Sequence, residues 1–166
     1  MVVATETRER TEHPPYEAYA AITGAYVGGL GLAGLAARIF DRNPACQTPL
    51  DFVVLSVAAF KAARTLARDE VTSFLREPFV KGEAHEGGED PVESGDLRQA
   101  IGELLTCSRC GGTWAAAALA TSQILSPRSG RILTWSLAAA GANDFLQAAF
   151  AAVTQRSNEL EQRLES

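Results

Sequence analysis

Cysteine is scarce in this chain. Three residues, Cys46, Cys107 and Cys110, are too few to staple a disulfide-rich secreted scaffold. Basic charge is also short: 15 Lys and Arg against 20 Asp and Glu leave a net charge of -5. That balance excludes a general nucleic-acid binder, which needs a basic surface to displace counterions. No phosphate-binding loop with lysine and no Ser-His-Asp arrangement is legible. The two histidines, His13 and His85, fall in polar stretches and are expected to be solvated. The N-terminus lacks an apolar run, so residues 1–16 are expected to be a disordered tail without a cleavable signal peptide. No repeat of twenty or more residues is visible.

Long apolar runs are present, although the mean hydropathy of -0.02 hides them. From Ala18 to Ala37, between Glu17 and Arg38, no residue carries a formal charge. Twenty helical residues reach about 30 Å, the thickness of a bilayer's hydrocarbon core. Small residues recur every fourth position at Ala21, Ala25, Gly29, Ala33 and Ala37, with Ala20, Gly24 and Gly28 beside them. Such ridges let helix backbones touch where lipid removes the hydrophobic drive between helices. This first helix is expected to span, and to pack or self-associate through those positions. A soluble surface helix would need a polar face, and here only Tyr19, Thr23 and Tyr26 carry polar side chains.

A second helix is predicted from Thr48, with an N-cap threonine, Pro49 at the first position and Asp51 at the third. It runs through an apolar stretch, carries Lys61, Arg64 and Arg68 on one face, and continues to Leu75 before Pro78 stops it. Residues 82–96 hold six acids, four glycines and no basic residue, which reads as a flexible solvated linker. A short amphipathic helix follows, capped by Asp96 with Gln99 three later. Apolar runs at 111–127 and 132–153 are joined by a connection over residues 126–131, making them antiparallel neighbours. The tail, 154–166, is polar. The expected fold is an all-α polytopic membrane domain over 17–153 with about four spans. Its rival is a soluble alanine-rich bundle.

Lys and Arg set the orientation. With four spans, ten of them lie on the side of the termini and four, Arg38, Arg42, Arg128 and Arg131, on the other. That places both termini and the Cys107–Cys110 motif in the cytoplasm, and Cys46 outside. Charges inside apolar runs must pair or face water, so Asp144 is expected to meet Lys61 or Arg64. Arg64, Arg68 and Arg76 form a basic patch for anionic headgroups or a partner's acids, or serve as ordinary anchoring charges.

Gly29-x-Gly31-x-x-Gly34 matches the dinucleotide fingerprint, but that pattern carries meaning only between a strand and a helix. Its flanks here read as helix. Cys107-x-x-Cys110 precedes the third apolar run. A helix start there lowers a thiol's pKa and suits redox exchange. Zinc needs four ligands and would require the pair from each of two chains. Two small thiols packed at a helix start are the bland alternative.

AAFKAARTLARDEVTSFLREPF, and after the acidic insert GELLTCSRCGGTWAAA, resemble a bacterial membrane family known as domain of unknown function 1360. The matching positions are Lys61, Arg64, Asp69, Leu75, Arg76, Pro78 and Phe79, then Leu104, Leu105, Thr106, Cys107, Cys110, Gly112 and Trp114. Family members more often carry proline after the first cysteine, where this chain has Ser108. The resemblance implies a small multi-helix protein of the bacterial cytoplasmic membrane. Some members are labelled as sporulation proteins, and no reaction is implied. The expected role is therefore a non-enzymatic membrane scaffold that contacts the lipid bilayer, forms homo-oligomers and binds a protein partner, without a cofactor. The alternative is a redox or dimeric zinc protein built on Cys107 and Cys110.

Overall fold

The computed structural model describes residues 14–82 and 89–165. These residues form helices and one isolated antiparallel bridge, between Val80 and Pro91. Helix α1 covers Tyr16–Ile39. It ends where Asp41 adopts a left-handed φ of 52° and the Arg42 N–H reaches back to the Ala37 carbonyl at 2.7 Å. Glycine is the usual residue in that position. After a 3-10 turn at Pro44–Cys46, α2 (Pro49–Arg68) begins with a reciprocal cap. The Thr48 N–H donates to Asp51 Oδ2 at 2.9 Å, and the Asp51 N–H donates to Thr48 Oγ1 at 3.2 Å.

The second helix stops at Arg68 instead of running on to Leu75. A 3-10 turn, the four-residue α3 (Ser73–Arg76) and a second 3-10 turn follow. The reason lies in the helix end, which leaves carbonyls without intrahelical partners. Thr72 Oγ1 donates to the Thr65 carbonyl at 2.6 Å, and Arg76 Nη1 donates to the Leu66 carbonyl at 2.8 Å. Both donors arrive only if the chain folds back.

Helix α4 (Leu97–Thr106) is the short helix expected after the acidic stretch, and Asp96 caps it by accepting from the Arg98 N–H. Gln99 reaches back to the Gly95 N–H at 2.9 Å. Helix α5 (Ser108–Leu125) follows with Cys107 between them. Helix α6 then runs unbroken over Pro127–Glu165. Ser126 alone separates α5 from α6, so the turn is tighter than the 126–131 connection read from sequence. Gly130 permits it: a Cβ there would lie 2.5 Å from the Gln123 nitrogen and the Ser122 carbonyl group.

Helix α2 is central and packs against α5 and α6. Ala58, Ala59, Leu119 and Ala138 make the core, with Val54, Leu55 and Val57 against it. Small side chains bring the axes close. At Gly141 a Cβ would sit 3.0 Å from Val57 Cγ1 and 3.2 Å from Lys61 Cβ.

Helix α1 touches the bundle along one side. Tyr19 reaches Glu103 of α4, Tyr26 meets the Trp114 ring of α5 at 5.2 Å, and Ala37 is enclosed. Of the small-residue ridge, Ala33 is half-buried and Ala37 buried, whereas Ala21, Ala25 and Gly29 are exposed. Built Cβ atoms at Gly24, Gly28, Gly29, Gly31 and Gly34 meet nothing within 4 Å. The glycines of the nucleotide-like pattern thus lie inside a helix, on a face that no other described element covers.

Among the described residues one helix, Tyr16–Ile39, is long and apolar enough to cross a membrane. In α2 the charges Lys61, Arg64 and Arg68 interrupt the apolar run, and α6 carries Asp144 and a polar distal half. Large apolar side chains nevertheless face outward along the bundle, including Leu32, Phe52, Ile132, Leu146 and Phe150.

Candidate functional site

The first cluster is a charge pair between α2 and α6. Lys61 Nζ donates to Asp144 Oδ2 at 2.9 Å and lies 3.9 Å from Asp69 Oδ2. The Lys61 side chain is largely buried while the two carboxylates keep partial access to solvent. Phe60 and Phe145 stack beside the pair with centroids 5.4 Å apart. Arg64, exposed, lines the same shallow hollow. Gly141 sets this geometry, because its missing side chain lets α6 approach the Lys61 stem. The ammonium pairs directly with Asp144 and lies near Asp69, and Arg64 on the same hollow supplies the second positive charge.

The second cluster is the turn after α2. Arg76 is fully buried and donates to the Leu66 and Asp69 carbonyls and to Thr72 Oγ1. Its Nη2 pairs with Glu89 at 3.4 Å, where both side chains are enclosed. The acidic stretch therefore supplies a buried counter-ion. Its second half is fastened further by Lys81 N–H to the Asp90 carbonyl, Val92 N–H to the Phe79 carbonyl, and a Lys81–Glu93 ion pair at 3.2 Å. Helix α4 docks on this turn at Gly102, where a Cβ would meet the Phe79 carbonyl oxygen at 2.5 Å.

The third cluster is the α4–α5 corner. Cys107 sits in extended backbone as the N-cap of α5, and its Sγ accepts from the Cys110 N–H at 3.4 Å. The Cys110 thiol also donates to Cys107 Sγ at 2.9 Å. These hydrogen bonds, the thiol's first and the amide's second, hold Cys107 below the ordinary thiol value, because they stabilise its thiolate. The same contact pushes Cys110 up, with desolvation adding to it. Cys107 is half-buried and Cys110 exposed. Gly111 and Gly112 bring the first turn of α5 against the Ala63 methyl, each built Cβ lying 3.9 Å from it. The corner can present one activated thiolate with a resolving thiol beside it. Among the described residues no three His, Cys, Asp or Glu side chains converge as a metal site.

At the other end of α2 an open cleft of about 840 Å³ lies among the α1–α2 connection, α5 and the start of α6. Arg131 Nη2 donates to Asp51 Oδ1 there at 3.1 Å, and Gln47 bonds Gln123 at 3.4 Å. Arg42 and Arg128 line the rim.

Residues 54–150 match the model of a family described as protein of unknown function, DUF1360. The chain belongs to the DUF1360 family. All three clusters fall inside the matched segment, and they account for motif positions that are far apart in sequence. Two Bacillus subtilis (strain 168) proteins are similar to it. UPF0713 protein YngL is 29% identical over 101 residues, covering 60% of this chain and 78% of its own. Sporulation protein YjcA is 34% identical over 98 residues, covering 55% of this chain and 83% of its own. No solved structure matches the chain.

Against the sequence reading of this DUF1360 member, the structure brings Lys61, Arg64 and Asp144 together, and Cys107 with Cys110. It divides the basic patch: Arg64 and Arg68 are exposed, whereas Arg76 is buried in the turn and unavailable to headgroups. Of the stretch 82–96 read as a flexible linker, residues 89–96 are fastened to the bundle, and 83–88 lie outside the described residues, as do His13 and His85. Sequence reasoning missed Glu89 and the Tyr19–Glu103 and Tyr26–Trp114 contacts. The seven-residue spacing of Tyr19, Tyr26 and Ala33, the first two being rare polar positions of that run, was the available signal for the packed face.

Proposed function

We propose that the protein is a small integral protein of the bacterial cytoplasmic membrane that acts by binding rather than by turnover. In this reading α1, α2, α5 and the first part of α6 cross the bilayer, with the α4–α5 corner on the cytoplasmic side. The observation that carries it is α1. The helix that meets the length and composition of a span touches the bundle with one face and turns Val27, Leu32, Leu35 and its glycines outward. An apolar surface of that kind calls for lipid or another helix. Pairing of Lys61 with Asp144 supports the same reading, since it offsets the cost of charge on spanning helices. Arg64 and Arg68 then anchor the cytoplasmic face. Fractionation tests the proposal: the chain should pellet with membranes and resist alkaline washing, and recovery in the wash would contradict it. A relative is named a sporulation protein, so restoring spore formation to a strain lacking YjcA is the first process to test.

The geometry of Cys107 and Cys110 favours a second reading, thiol–disulfide exchange. The Cys107 thiolate would attack a partner's disulfide to form a mixed disulfide. Cys110 would then lose its proton and attack Cys107 Sγ, releasing the partner as a dithiol and leaving the Cys107–Cys110 disulfide. Cys110→Ser should trap the mixed disulfide through Cys107. Zinc bound at one ion per two chains would instead identify the pair as half of an intermolecular metal site.

A further inference from the structure

Helix α6 is longer than any role in the bundle requires. Its 39 residues reach about 58 Å, against a hydrocarbon core of about 30 Å. Its inward stripe, Thr134, Ala138, Gly141 and Asp144, ends with Phe145 against Phe60. Beyond that point every described side chain through Arg163 is exposed.

The outward face is patterned. Leu146, Phe150, Val153, Ser157 and Leu160 follow one another at spacings of four and three, and Leu164 continues the spacing in the sequence. Leu146, Phe150, Val153 and Leu160 are each more than half exposed. At 100° per residue they lie opposite the stripe that meets α2. Alternating steps of three and four mark the seam of a coiled coil, with Phe150 and Ser157 at a and Leu146, Val153 and Leu160 at d. After a single extra four-residue step, of the kind coiled coils absorb, the same face continues upstream through Ala142, Ala139 and Trp135.

Charge identifies the occupant. In this register Arg156 and Arg163 fall at g and Glu161 at e. A second copy running parallel brings Arg156 of one helix beside Glu161 of the other. An antiparallel copy sets arginine against arginine. Charges at e and g select partner and orientation in this way, and two copies inserted alike in a membrane are parallel. Lipid can cover the upstream part of the face. It does not account for Leu160, which stands beyond the polar residues 154–159. We propose that the distal half of α6 is a self-association element: two copies pair in parallel along Leu146–Leu160, registered by Arg156 and Glu161.

This deepens the reading of an interaction protein and takes only the parallel orientation from the membrane placement. The test uses the full chain in native membranes, with Cys46, Cys107 and Cys110 replaced by Ser and single cysteines introduced. Ser157→Cys and Leu160→Cys should cross-link two copies with several-fold higher yield than Asn158→Cys and Gln162→Cys on the outer side. Arg156→Glu should lower the Leu160→Cys yield several-fold, and adding Glu161→Arg should restore it. Equal yields around the helix, no dimer, or no restoration by the charge exchange would each overturn the proposal. Failure of the membrane reading shows separately, as chain in the soluble fraction, where the same cross-linking can still be read.

Discussion

Lys61 of α2 and Asp144 of α6 meet at 2.9 Å, 83 residues apart in sequence, each beside an apolar stretch of its helix. Hydrogen bonds to charged groups contribute about 1.5–3 kcal/mol. Lys61→Asp and Asp144→Lys alone should each lower thermal stability in detergent by about that amount, because each sets like charges together. The double exchange should recover most of the loss. Asp69, 3.9 Å from Nζ, makes full recovery unexpected. A double variant no better than the worse single would show that the contact does not hold the helices.

Arg76 should be the most sensitive charged position. Removing one member of a buried pair costs about 3–5 kcal/mol, since the other stays enclosed without compensation. Arg76→Ala should therefore unfold the turn, and Arg76→Lys should fare little better, because an ammonium cannot serve the Leu66 and Asp69 carbonyls and Glu89 with one planar fork. Glu89→Gln should be milder. Arg64→Ala and Arg68→Ala, both exposed, should shift the melting temperature little. Equal effects at 76 and 64 would contradict the buried placement.

The two thiols should differ in reactivity. Cys107 is held below the ordinary thiol value by the Cys110 thiol and amide, so its thiolate persists to lower pH than that of Cys110. In a Cys46→Ser background, alkylation at pH 7 should modify Cys107 first. Cys110→Ala removes the thiol donor, so the pH profile of Cys107 should move upward. Identical profiles for the two cysteines would remove the basis for thiol exchange.

Glycines divide into two groups. Gly130→Ala forces a methyl to within 2.5 Å of backbone in α5 and should destabilise the hairpin by about 1–3 kcal/mol or more. Gly24→Ala and Gly28→Ala meet nothing and should leave the folded chain intact. If α1 associates through that face, the same two changes should weaken the association. A stability loss at Gly24 like that at Gly130 would mean that α1 packs within the chain.

How much of this was legible in the sequence depends on range. The cap at Thr48 and Asp51, the short helix after Asp96 and the apolar first helix rest on local patterns, and they are present as read. Asp144 and Lys61 were matched by a long-range argument, that charge at depth needs a partner. The break at Asp69 was not legible, because periodicity carried on to Leu75 while the deciding donors, Thr72 and Arg76, act across a turn. Glu89 was hidden for the same reason: composition marks an acidic stretch as solvated and cannot single out one carboxylate that a buried arginine draws in. The α1 glycines were read as a packing ridge, and a Cβ added at any of them meets none of the described residues within 4 Å. Of the four expected spans, Tyr16–Ile39 alone among the described residues meets the length and composition of one.

Two-sided cysteine labelling tests the central claim most directly. Cells carry the chain with Cys46→Ser and Cys107→Ser, leaving Cys110, or with all three cysteines replaced and Ser126→Cys added at the α5–α6 turn. An impermeant maleimide should label position 126 from outside intact spheroplasts and reach Cys110 only after they are opened. Labelling of both positions from one side, or a chain that stays monodisperse in buffer without detergent, would contradict a bundle whose α5 crosses the bilayer.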